Sequence, residues 1–533
     1  MHNERDSGKN MDKHKEISAS FLFVRDKRLF IFTLALATFA SFVHLTSFSL
    51  SIDEEIASFA SQGWRVWASQ GRWGMALINI ILPNSSAIPF ISTMVFIFSV
   101  TIASLLLASV IARSRPEALV FSGFFVTSPI WLHIVEFNTL AAGAGIGLVA
   151  TALAVQLVST GRFSSAIYAG LCTGFAIGVY QALVIVYAIG CVALLFPGSY
   201  FWYAGTDNQV TASWRFFIMV AISFAIAFVS YTVTQEISLA LIHQHIAYID
   251  SYIQIDELRK NFSPTAHRIL HQVKELLLGM DPTYLGWGRP LLLLPAAGFL
   301  YGLFKVVRCG LGCPGRALIS LVSLAAMIGA ASALVVMAAG RMPTRALIGF
   351  PLLFAVLAVN GYRISIFRTR GPQWVAFAYA MLIAGWIGAS LFYADQVARQ
   401  RDQVMATRLA ATIDAIGRPA FGNNIPFVLV GDWTFPDQGV ARHVQIFGTS
   451  FFEQDGGNPY RVAAYLKLLG IEGLQPLPIT DVRNDMVQIN NMPGWPAPGS
   501  VAVVSHVLVI KLGNVSYQQQ LMLDNMHSLG PSS

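Results

Sequence analysis

Long uninterrupted apolar runs are the feature of this sequence that most restricts its fold. A helix rises about 1.5 Å per residue, so a run of about 20 residues crosses the hydrocarbon layer of a bilayer. The runs of this kind are Leu29–Leu50, 88–112, 117–135, 139–159, 214–242, 290–307, 317–339, 345–360 and 374–393. Only 12% of the 533 residues are charged, whereas an ordinary soluble domain has about 25%. The chain is therefore predicted to be a polytopic membrane protein, and a soluble enzyme or a disordered chain is excluded.

The stretch Ser164–Phe196 decides how many times the chain crosses the membrane, because it is long for one helix and short for two. We predict two short spans that meet at Tyr180-Gln181, which brings the total to about eleven spans. Every basic cluster then falls on one side of the membrane, as the positive-inside rule requires. The clusters lie in residues 1–28, at Arg113 and Arg115, at Arg162, at Lys305, Arg308 and Arg316, and at Arg363, Arg368 and Arg370. The net charge of +7 is assigned to these loops and gives no reason to expect nucleic-acid binding.

Three regions follow from this topology. Residues 1–28 form a cytoplasmic tail without a cleaved signal peptide, 29–393 the transmembrane region, and 394–533 a small extracytoplasmic domain. The predicted fold class is an all-α multispanning helix bundle with a small C-terminal α/β domain. In that domain we expect a polar helix over 394–416, strands at Phe427–Val430 and Val501–Lys511, and a helix over Tyr460–Leu469. The external loops are expected at 51–87, 132–138, 243–289 and 340–344.

Three acids, Asp53, Glu54 and Glu55, directly follow the first span. A single acid in this position is typical of a solvated helix cap, and that interpretation stays open from spacing alone. Clustered carboxylates are also suited to deprotonating a hydroxyl group or to holding a divalent cation such as Mg²⁺ or Mn²⁺. The sequence therefore marks this cluster as a candidate catalytic site whose metal dependence is open.

Residues 56–70 read as an amphipathic stretch that contains Trp64 and Trp67. Tryptophans of this kind sit at the headgroup level, so the stretch is expected to lie flat on the outer membrane surface. It ends at Gly71-Arg72-Trp73. The planar guanidinium of Arg72 suits a phosphate or a carboxylate, and the alternative is that Arg72 anchors the segment at lipid headgroups.

The other external boundaries contain further candidate binding residues. Glu136 lies in the short loop after the third span, and Tyr180 and Gln181 occupy the proposed apex between two short spans. A glutamine in an apolar run must be hydrogen-bonded to protein or ligand. Arg341 and Arg345 oppose the positive-inside bias, which an anionic partner such as a lipid phosphate would compensate. An exposed turn at Glu136 and headgroup pairing of the arginines are the alternatives.

These motifs together resemble the Gtr family of bacterial O-antigen glucosyltransferases. The resemblance rests on Asp53-Glu54-Glu55 followed by Gly71-Arg72-Trp73, on Tyr180-Gln181 and on the Arg341/Arg345 loop, and it covers most of 29–393. It implies a type C glycosyltransferase fold in the bacterial inner membrane, with the active site facing the periplasm. It also implies transfer of a sugar, expected to be glucose as in the family, from a polyprenyl-phosphate carrier to the O-antigen of lipopolysaccharide. Carried over, Asp53 is the catalytic base with Glu54 beside it; the family more often has Asp-Asp here, so the role of Glu54 stays open.

The chemistry of such a transfer can be matched to the candidate residues. The acid cluster supplies a base for the acceptor hydroxyl, while Arg72, Arg341 and Arg345 supply cations for the departing phosphate. The sequence contains no P-loop motif, which is consistent with a donor that is not a nucleotide sugar. The alternatives are an O-antigen polymerase or ligase, a secondary transporter and a non-enzymatic scaffold. A transporter is disfavoured because the charges gather at the outer boundary and no internal repeat is detected.

Overall fold

The computed structural model describes residues 23–59, 63–82, 90–195, 209–243, 253–310, 314–364, 371–435 and 443–528. Most of the predicted cytoplasmic tail and the charges at 368 and 370 lie outside these ranges. The described residues are mostly helical, with 73% of them in helices. It forms two compact units, the first built from the described parts of 23–46, 63–82 and 90–389, and the second from 47–59 and the described residues from 390 onward.

The first unit is built from helices. In chain order they are Lys27–Ala40, Phe42–Thr46, Trp64–Ser69, Trp73–Ile81, Ile91–Ile111, Arg115–Val126, Pro129–Val135, Asn138–Ser159, Phe163–Val179, Leu183–Ala193, Gln209–Ile242, Ile255–Lys260, Phe262–Leu277, Gly288–Leu291, Leu293–Gly310, Pro314–Met337, Gly349–Tyr362 and the first part of Gly371–Phe421. Short 3₁₀ turns are present at Pro282–Tyr284 and Thr344–Ala346.

Five helices of the described residues are long and apolar enough to cross a membrane. They are Ile91–Ile111, Asn138–Ser159, Trp214–Ile242, Ala317–Met337 and the apolar part of Gly371–Phe421. The pair Arg115–Val126 and Pro129–Val135, bent by 50°, would make a sixth. These helices identify a membrane protein, but they do not confirm the predicted count of eleven spans.

The count differs because several predicted spans are shorter or broken. The first one divides into Lys27–Ala40 and Phe42–Thr46, with the Ser41 amide bonded to Thr38 and Phe39 carbonyls at the break. The prediction of two short helices within 164–196 is confirmed, since one helix ends at Val179 and the next begins at Leu183.

The structure predicted for two of the external segments is wrong. The expected loop 132–138 is mostly the helix Pro129–Val135, and all of its side chains are buried. The expected single amphipathic segment 56–70 divides into Glu54–Ala57 in the second unit and Trp64–Ser69 in the first. Trp67 is only 3% exposed. Its ring therefore packs inside the protein and does not lie in the headgroup layer.

Small residues bring the helices of the first unit close together. A Cβ atom on Gly298 would overlap the Leu357 carbonyl, and one on Gly361 would overlap the Leu294 carbonyl. Helices Leu293–Gly310 and Gly349–Tyr362 therefore touch backbone to backbone at this crossing. Close approach through small residues is how helices gain van der Waals contact in a membrane, where apolar burial between helices drives little association.

The two ends of the helix Ile91–Ile111 carry different side chains. At its C-terminal end, Arg363 pairs with Glu117 at 2.7 Å and also donates to the Ile111 carbonyl. At its N-terminal end, the Ser92 hydroxyl donates to the carbonyl of Asn138. A helix of 21 residues is about 30 Å long. The buried ion pair therefore lies about one hydrocarbon thickness away from the Asn138 end.

The second unit combines helices with a four-stranded sheet. Its helical elements are Glu54–Ala57, the second part of Gly371–Phe421, Gln454–Gly457, Pro459–Leu468, a 3₁₀ segment Ile479–Asp485, Met486–Asn491 and Tyr517–Ser528. Its strands are β1 (Ile425–Val430), β2 (Leu474–Leu477), β3 (Val501–Val504) and β4 (Val507–Lys511). The strand order is β2-β1-β4-β3. β1 runs parallel to β2 and β4, whereas β3 and β4 are antiparallel.

The predicted small α/β domain is thus present, with one correction. The predicted strand Val501–Lys511 is a hairpin of β3 and β4, because Ser505 and His506 both have positive φ angles, 46° and 67°, and turn the chain. The predicted helix Tyr460–Leu469 corresponds to Pro459–Leu468. The helix expected over 394–416 is the continuation of Gly371–Phe421.

The sheet is covered on both faces, and one of the covering layers includes the first predicted external loop. Ile425, Phe427 and Leu429 of β1 face a core formed with the long helix and Pro459–Leu468, while Val428 and Val430 face a second core. Alternate residues of a strand point to opposite faces, which explains this division. Ile52 is 4% exposed and packs in the first of these cores. The segment before Asp53 is therefore anchored within the second unit.

Candidate active-site residues

The acid cluster lies at the start of the helix Glu54–Ala57, where the Glu54 side chain turns away from those of Asp53 and Glu55. Glu54 is fully buried, and its Oε2 atom accepts the backbone amide of Ser51 at 3.1 Å. Glu55 is also fully buried, whereas the Asp53 side chain is 40% exposed. Asp53 precedes the helix with a left-handed backbone (φ 81°) and makes no side-chain cap to it. Asp53 is therefore the acid of the three that solvent or a substrate can reach.

Arg461 binds two of these acids, and sequence reasoning had not singled it out. Its Nη2 donates to Asp53 Oδ1 and its Nη1 to Glu55 Oε1, both at 2.6 Å. Its Nε donates to Asp455 Oδ2 at 2.5 Å. We call Asp53, Glu55, Asp455 and Arg461 the acid–arginine cluster. All four residues belong to the second unit.

The local sequence explains how Arg461 reaches this position. Gly456 and Gly457 both have positive φ angles, 67° and 79°, and a Cβ on Gly457 would overlap the Gly431 carbonyl. The Asn458 side chain then accepts the amides of Tyr460 and Arg461 and starts the helix Pro459–Leu468. A glycine turn followed by an Asn cap and a proline is a strong helix-start signal. It places Arg461 in the first turn.

The electrostatics of the cluster reflect its burial. Burial raises the pKa of the Glu55 carboxyl above its usual range, although the nearby Arg461 charge works in the other direction. Burial also works against the charged guanidinium of Arg461, but the charges of Asp53, Glu55 and Asp455 outweigh it and raise the Arg461 pKa. The arginine therefore stays charged and remains paired with all three acids.

The acid cluster does not fit a divalent cation. Within the described ranges no three His, Cys, Asp or Glu side chains converge as metal ligands. Neighbouring residues on a helix point in different directions, so Glu54 turns to the Ser51 amide while Asp53 and Glu55 turn to Arg461. The Mg²⁺ or Mn²⁺ site that the sequence left open at 53–55 is therefore not formed by these side chains.

Arg72 lies in the first unit, in a cluster with Tyr180 and Gln181 as partners. Its Nε donates to Gln181 Oε1 at 3.5 Å and its Nη1 to Gln70 Oε1 at 3.3 Å. Its guanidinium carbon lies 5.3 Å from the centre of the Tyr180 ring. Gln181 Nε2 donates to the carbonyls of Gln70 and Gly71, both at 3.0 Å. The predicted hydrogen-bonding need of Gln181 is thus met by the turn that carries Arg72.

Arg345 joins the same cluster through Tyr180. The Tyr180 hydroxyl donates to the Arg345 carbonyl at 2.9 Å, and the Arg345 guanidinium lies 4.9 Å from the centre of the Phe137 ring. Phe137 directly precedes Asn138, whose carbonyl accepts the Ser92 hydroxyl at the N-terminal end of the helix Ile91–Ile111. Arg72, Tyr180, Gln181 and Arg345 are therefore brought together by the fold, and Arg72 and Arg345 are both partly exposed. We call these four residues the arginine cluster.

Glu136 and Arg341 differ from the arginine cluster in their exposure and in their contacts. Glu136 is 2% exposed at the end of the helix Pro129–Val135, so it is a buried group and not part of an external loop. Arg341 is half-exposed, and its Nη1 pairs with Glu257 Oε1 at 3.3 Å. Arg268 pairs with the other oxygen of Glu257. Arg341 and Arg268 therefore share the Glu257 carboxylate.

Comparison with known families supports the resemblance seen in the sequence. Residues 42–360 match the family described as glucosyl transferase GtrII. The match covers more than half of the chain and includes the acid cluster and the arginine cluster, but it ends before Arg461. A comparison with curated proteins gave no match. The chain belongs to the glucosyl transferase GtrII family.

Proposed function

We propose that the protein transfers glucose from a polyprenyl-phosphate carrier to the O-antigen of lipopolysaccharide at the periplasmic face of the bacterial inner membrane. The observation that carries this proposal is the half-exposed Asp53 carboxylate, held at 2.6 Å by the buried Arg461. An ionisable group fixed in this way, within a chain of a glucosyltransferase family, has the reach and the chemistry of a general base.

The reaction follows from these groups as a single displacement. The Asp53 carboxylate removes the proton of an acceptor hydroxyl while the acceptor oxygen forms a bond to the anomeric carbon of the sugar. The bond between that carbon and the phosphate oxygen breaks, and the lipid phosphate leaves with the bonding electron pair. Attack opposite the leaving group inverts the anomeric configuration.

The arginine cluster is suited to the phosphate of the donor. Arg72 and Arg345 each offer a planar guanidinium, and such groups bind phosphate through two parallel hydrogen bonds. Tyr180 and Gln181 orient Arg72 through the contacts described above. Positive charge at the leaving phosphate stabilises the negative charge that develops in the transition state.

Glu54, Glu136 and Arg341 take supporting roles in this proposal. Glu54 holds the turn that carries Asp53 through the Ser51 amide. Glu136 is buried and directly precedes Phe137, whose ring lies under the Arg345 guanidinium. Arg341 is a candidate for headgroup or donor contacts at its exposed position, together with its partner Glu257.

A transfer assay with Asp53→Asn tests the base. Full-length protein in membranes is supplied with polyprenyl-phosphate glucose and lipopolysaccharide, and the transferred sugar is measured. Loss of a general base lowers the rate by about 10²- to 10⁴-fold. The control is Asp414→Asn, which removes an exposed acid of the same unit (54% exposed). Wild-type transfer by Asp53→Asn would exclude Asp53 as the base.

The donor class is tested with the wild-type protein. Transfer is expected from the polyprenyl-phosphate sugar and not from a nucleotide sugar in membranes that lack prenyl phosphate. Transfer from the nucleotide sugar alone would refute the donor assignment. Joining of whole O-antigen units without transfer of a single sugar would instead favour a polymerase or ligase.

A further inference from the structure

The position of Arg461 is unfavourable for its own helix. It lies in the first turn of Pro459–Leu468, where the positive end of the helix dipole repels a cation. Its side chain is only 12% exposed, and a buried guanidinium is costly unless carboxylates surround it. The contacts that compensate for this placement are those to Asp53, Glu55 and Asp455.

The three contacts also fix the orientation of the guanidinium plane. The Nε atom donates to Asp455, which lies six residues earlier in the segment Gln454–Gly457. That bond leaves Nη1 and Nη2 directed at the segment that carries Glu55 and Asp53. The contact with Asp455 therefore helps to set the direction of the guanidinium from within the C-terminal region.

Asp53 has little local structure to orient its carboxylate. It makes no side-chain cap to the helix that it precedes, although aspartate at such a position usually does. Its described hydrogen bond is the one from Arg461 to Oδ1. The other oxygen, Oδ2, is the one that this contact leaves available to a second partner.

A further contact holds the same segment against the same helix. The Lys467 ammonium lies 4.4 Å from the centre of the Phe59 ring. Ile52 is buried in a core that includes Val462 and Leu466 of the helix. Residues before and after the acids are thus attached to Pro459–Leu468, and Arg461 makes the contact at the acids themselves.

We propose that Arg461 is a positioning residue for glucosyl transfer, which orients the Asp53 carboxylate so that Oδ2 faces the acceptor hydroxyl. This inference rests on the proposed role of Asp53 as the base. It assigns a role in the reaction to the region beyond residue 360, outside the part of the chain that matches the family.

The first test compares Arg461→Gln and Arg461→Lys with wild type, using full-length protein, polyprenyl-phosphate glucose and lipopolysaccharide. Misplacing a catalytic group by about 1 Å costs about 100-fold, so Arg461→Gln should lower kcat about 10- to 100-fold. The KM for the donor should change by less than about twofold, because phosphate binding is assigned to other residues. Arg461→Lys keeps the positive charge but loses the planar guanidinium, so its kcat should lie between those of wild type and Arg461→Gln.

The matched control is Arg418→Gln, which removes an exposed arginine paired with Asp414 in the same unit. It should leave kcat and KM at the wild-type values. Equal loss in Arg418→Gln and Arg461→Gln would overturn the proposal, because the effect would then belong to loss of any ion pair in this unit.

The double variant Asp53→Asn/Arg461→Gln separates positioning from a structural role. If Arg461 acts through Asp53, its loss should cause no further decrease in an Asp53→Asn background. A full additional loss there would overturn the proposal. If Asp53→Asn alone is fully active, the proposed role of Asp53 as the base fails and the role of Arg461 fails with it; if Asp53→Asn is inactive while folded Arg461→Gln has wild-type kcat, only the role of Arg461 fails. Absence of transfer by the wild-type protein would refute the proposed function.

A milder variant decides the case in which Arg461→Gln does not fold. Asp455→Asn removes the negative charge from the contact that fixes Nε, at a side chain that is 39% exposed, and leaves Arg461 in place. We expect a decrease in kcat of about threefold with unchanged KM, since positioning is weakened and not lost. Wild-type kcat for folded Asp455→Asn would overturn the proposal.

Discussion

The Nη2 atom of Arg461 lies 2.6 Å from Oδ1 of Asp53, across 408 positions of sequence. This contact joins the loop after the first apolar helix to a helix of the C-terminal region. Both residues belong to the same compact unit. The second unit is therefore not made of the C-terminal region alone, since it also contains the segment with the three acids.

The first prediction concerns the anchoring of that segment by Ile52, which is 4% exposed in the core of the second unit. Ile52→Ala should destabilise the protein by about 2–5 kcal/mol, because it leaves a cavity in a packed core. It should also lower transfer, since the neighbouring Asp53 loses its support. The measurement is thermal unfolding together with the transfer rate.

The control for this prediction lies four residues further along the same segment. Ile56 is 42% exposed, so Ile56→Ala should change the free energy of unfolding by less than about 0.5 kcal/mol. Equal destabilisation by the two variants would contradict the burial of Ile52 in this core.

The second prediction is a pH dependence that arises from Glu55. Burial raises its pKa in the folded protein above the usual value of 4.5, so the folded state binds the proton more tightly than the unfolded state. The stability from this group is full below pH 4.5 and is lost as pH rises through the raised value. Glu55→Gln removes this dependence. The unfolding temperature of the variant minus that of wild type should therefore increase as pH increases from 4 to 8.

The reference for the Glu55 experiment is Glu472→Gln, which removes an exposed carboxylate of the same unit. The quantity to compare is the difference in unfolding temperature between each variant and wild type at each pH. Parallel curves for Glu55→Gln and wild type would show that the buried carboxyl does not titrate in this range.

The sequence predicts those elements whose signals are local. The length of the apolar stretch Ser164–Phe196 correctly indicates a helix break near Tyr180-Gln181, and an Asn-Pro cap marks the helix Pro459–Leu468. The turn at Ser505-His506 was missed because β-branched residues continue on both sides of it. Polar residues between two apolar runs were the available signal for that hairpin.

The contacts between distant segments had no such signal. Nothing near Arg461 in the sequence indicates that its partners are Asp53 and Glu55, because that pairing depends on how the helix and the loop pack. The different direction of Glu54 could have been anticipated, since adjacent helix residues do not face each other.

The third prediction tests the helix crossing beneath the arginine cluster. A Cβ atom on Gly178 would overlap the Trp73 ring, which follows Arg72 directly. Gly178→Ala should therefore destabilise the protein by about 1–3 kcal/mol through overpacking. Gly329→Ala is the control, since a Cβ there meets nothing within 4 Å and should stabilise the helix by up to about 1 kcal/mol. Thermal unfolding of both variants measures the difference, and a stabilised Gly178→Ala would contradict this crossing.

The fourth prediction concerns the guanidinium of Arg72, which donates to Gln181 and Gln70 and lies over the Tyr180 ring. Arg72→Lys keeps the charge but loses the planar fork, so the KM for the polyprenyl-phosphate donor should rise about tenfold, which corresponds to about 1.4 kcal/mol. Arg65→Lys, at an exposed position in the preceding helix, should leave the KM unchanged. A wild-type KM for Arg72→Lys, with the protein folded, would mean that the donor phosphate is bound by other residues.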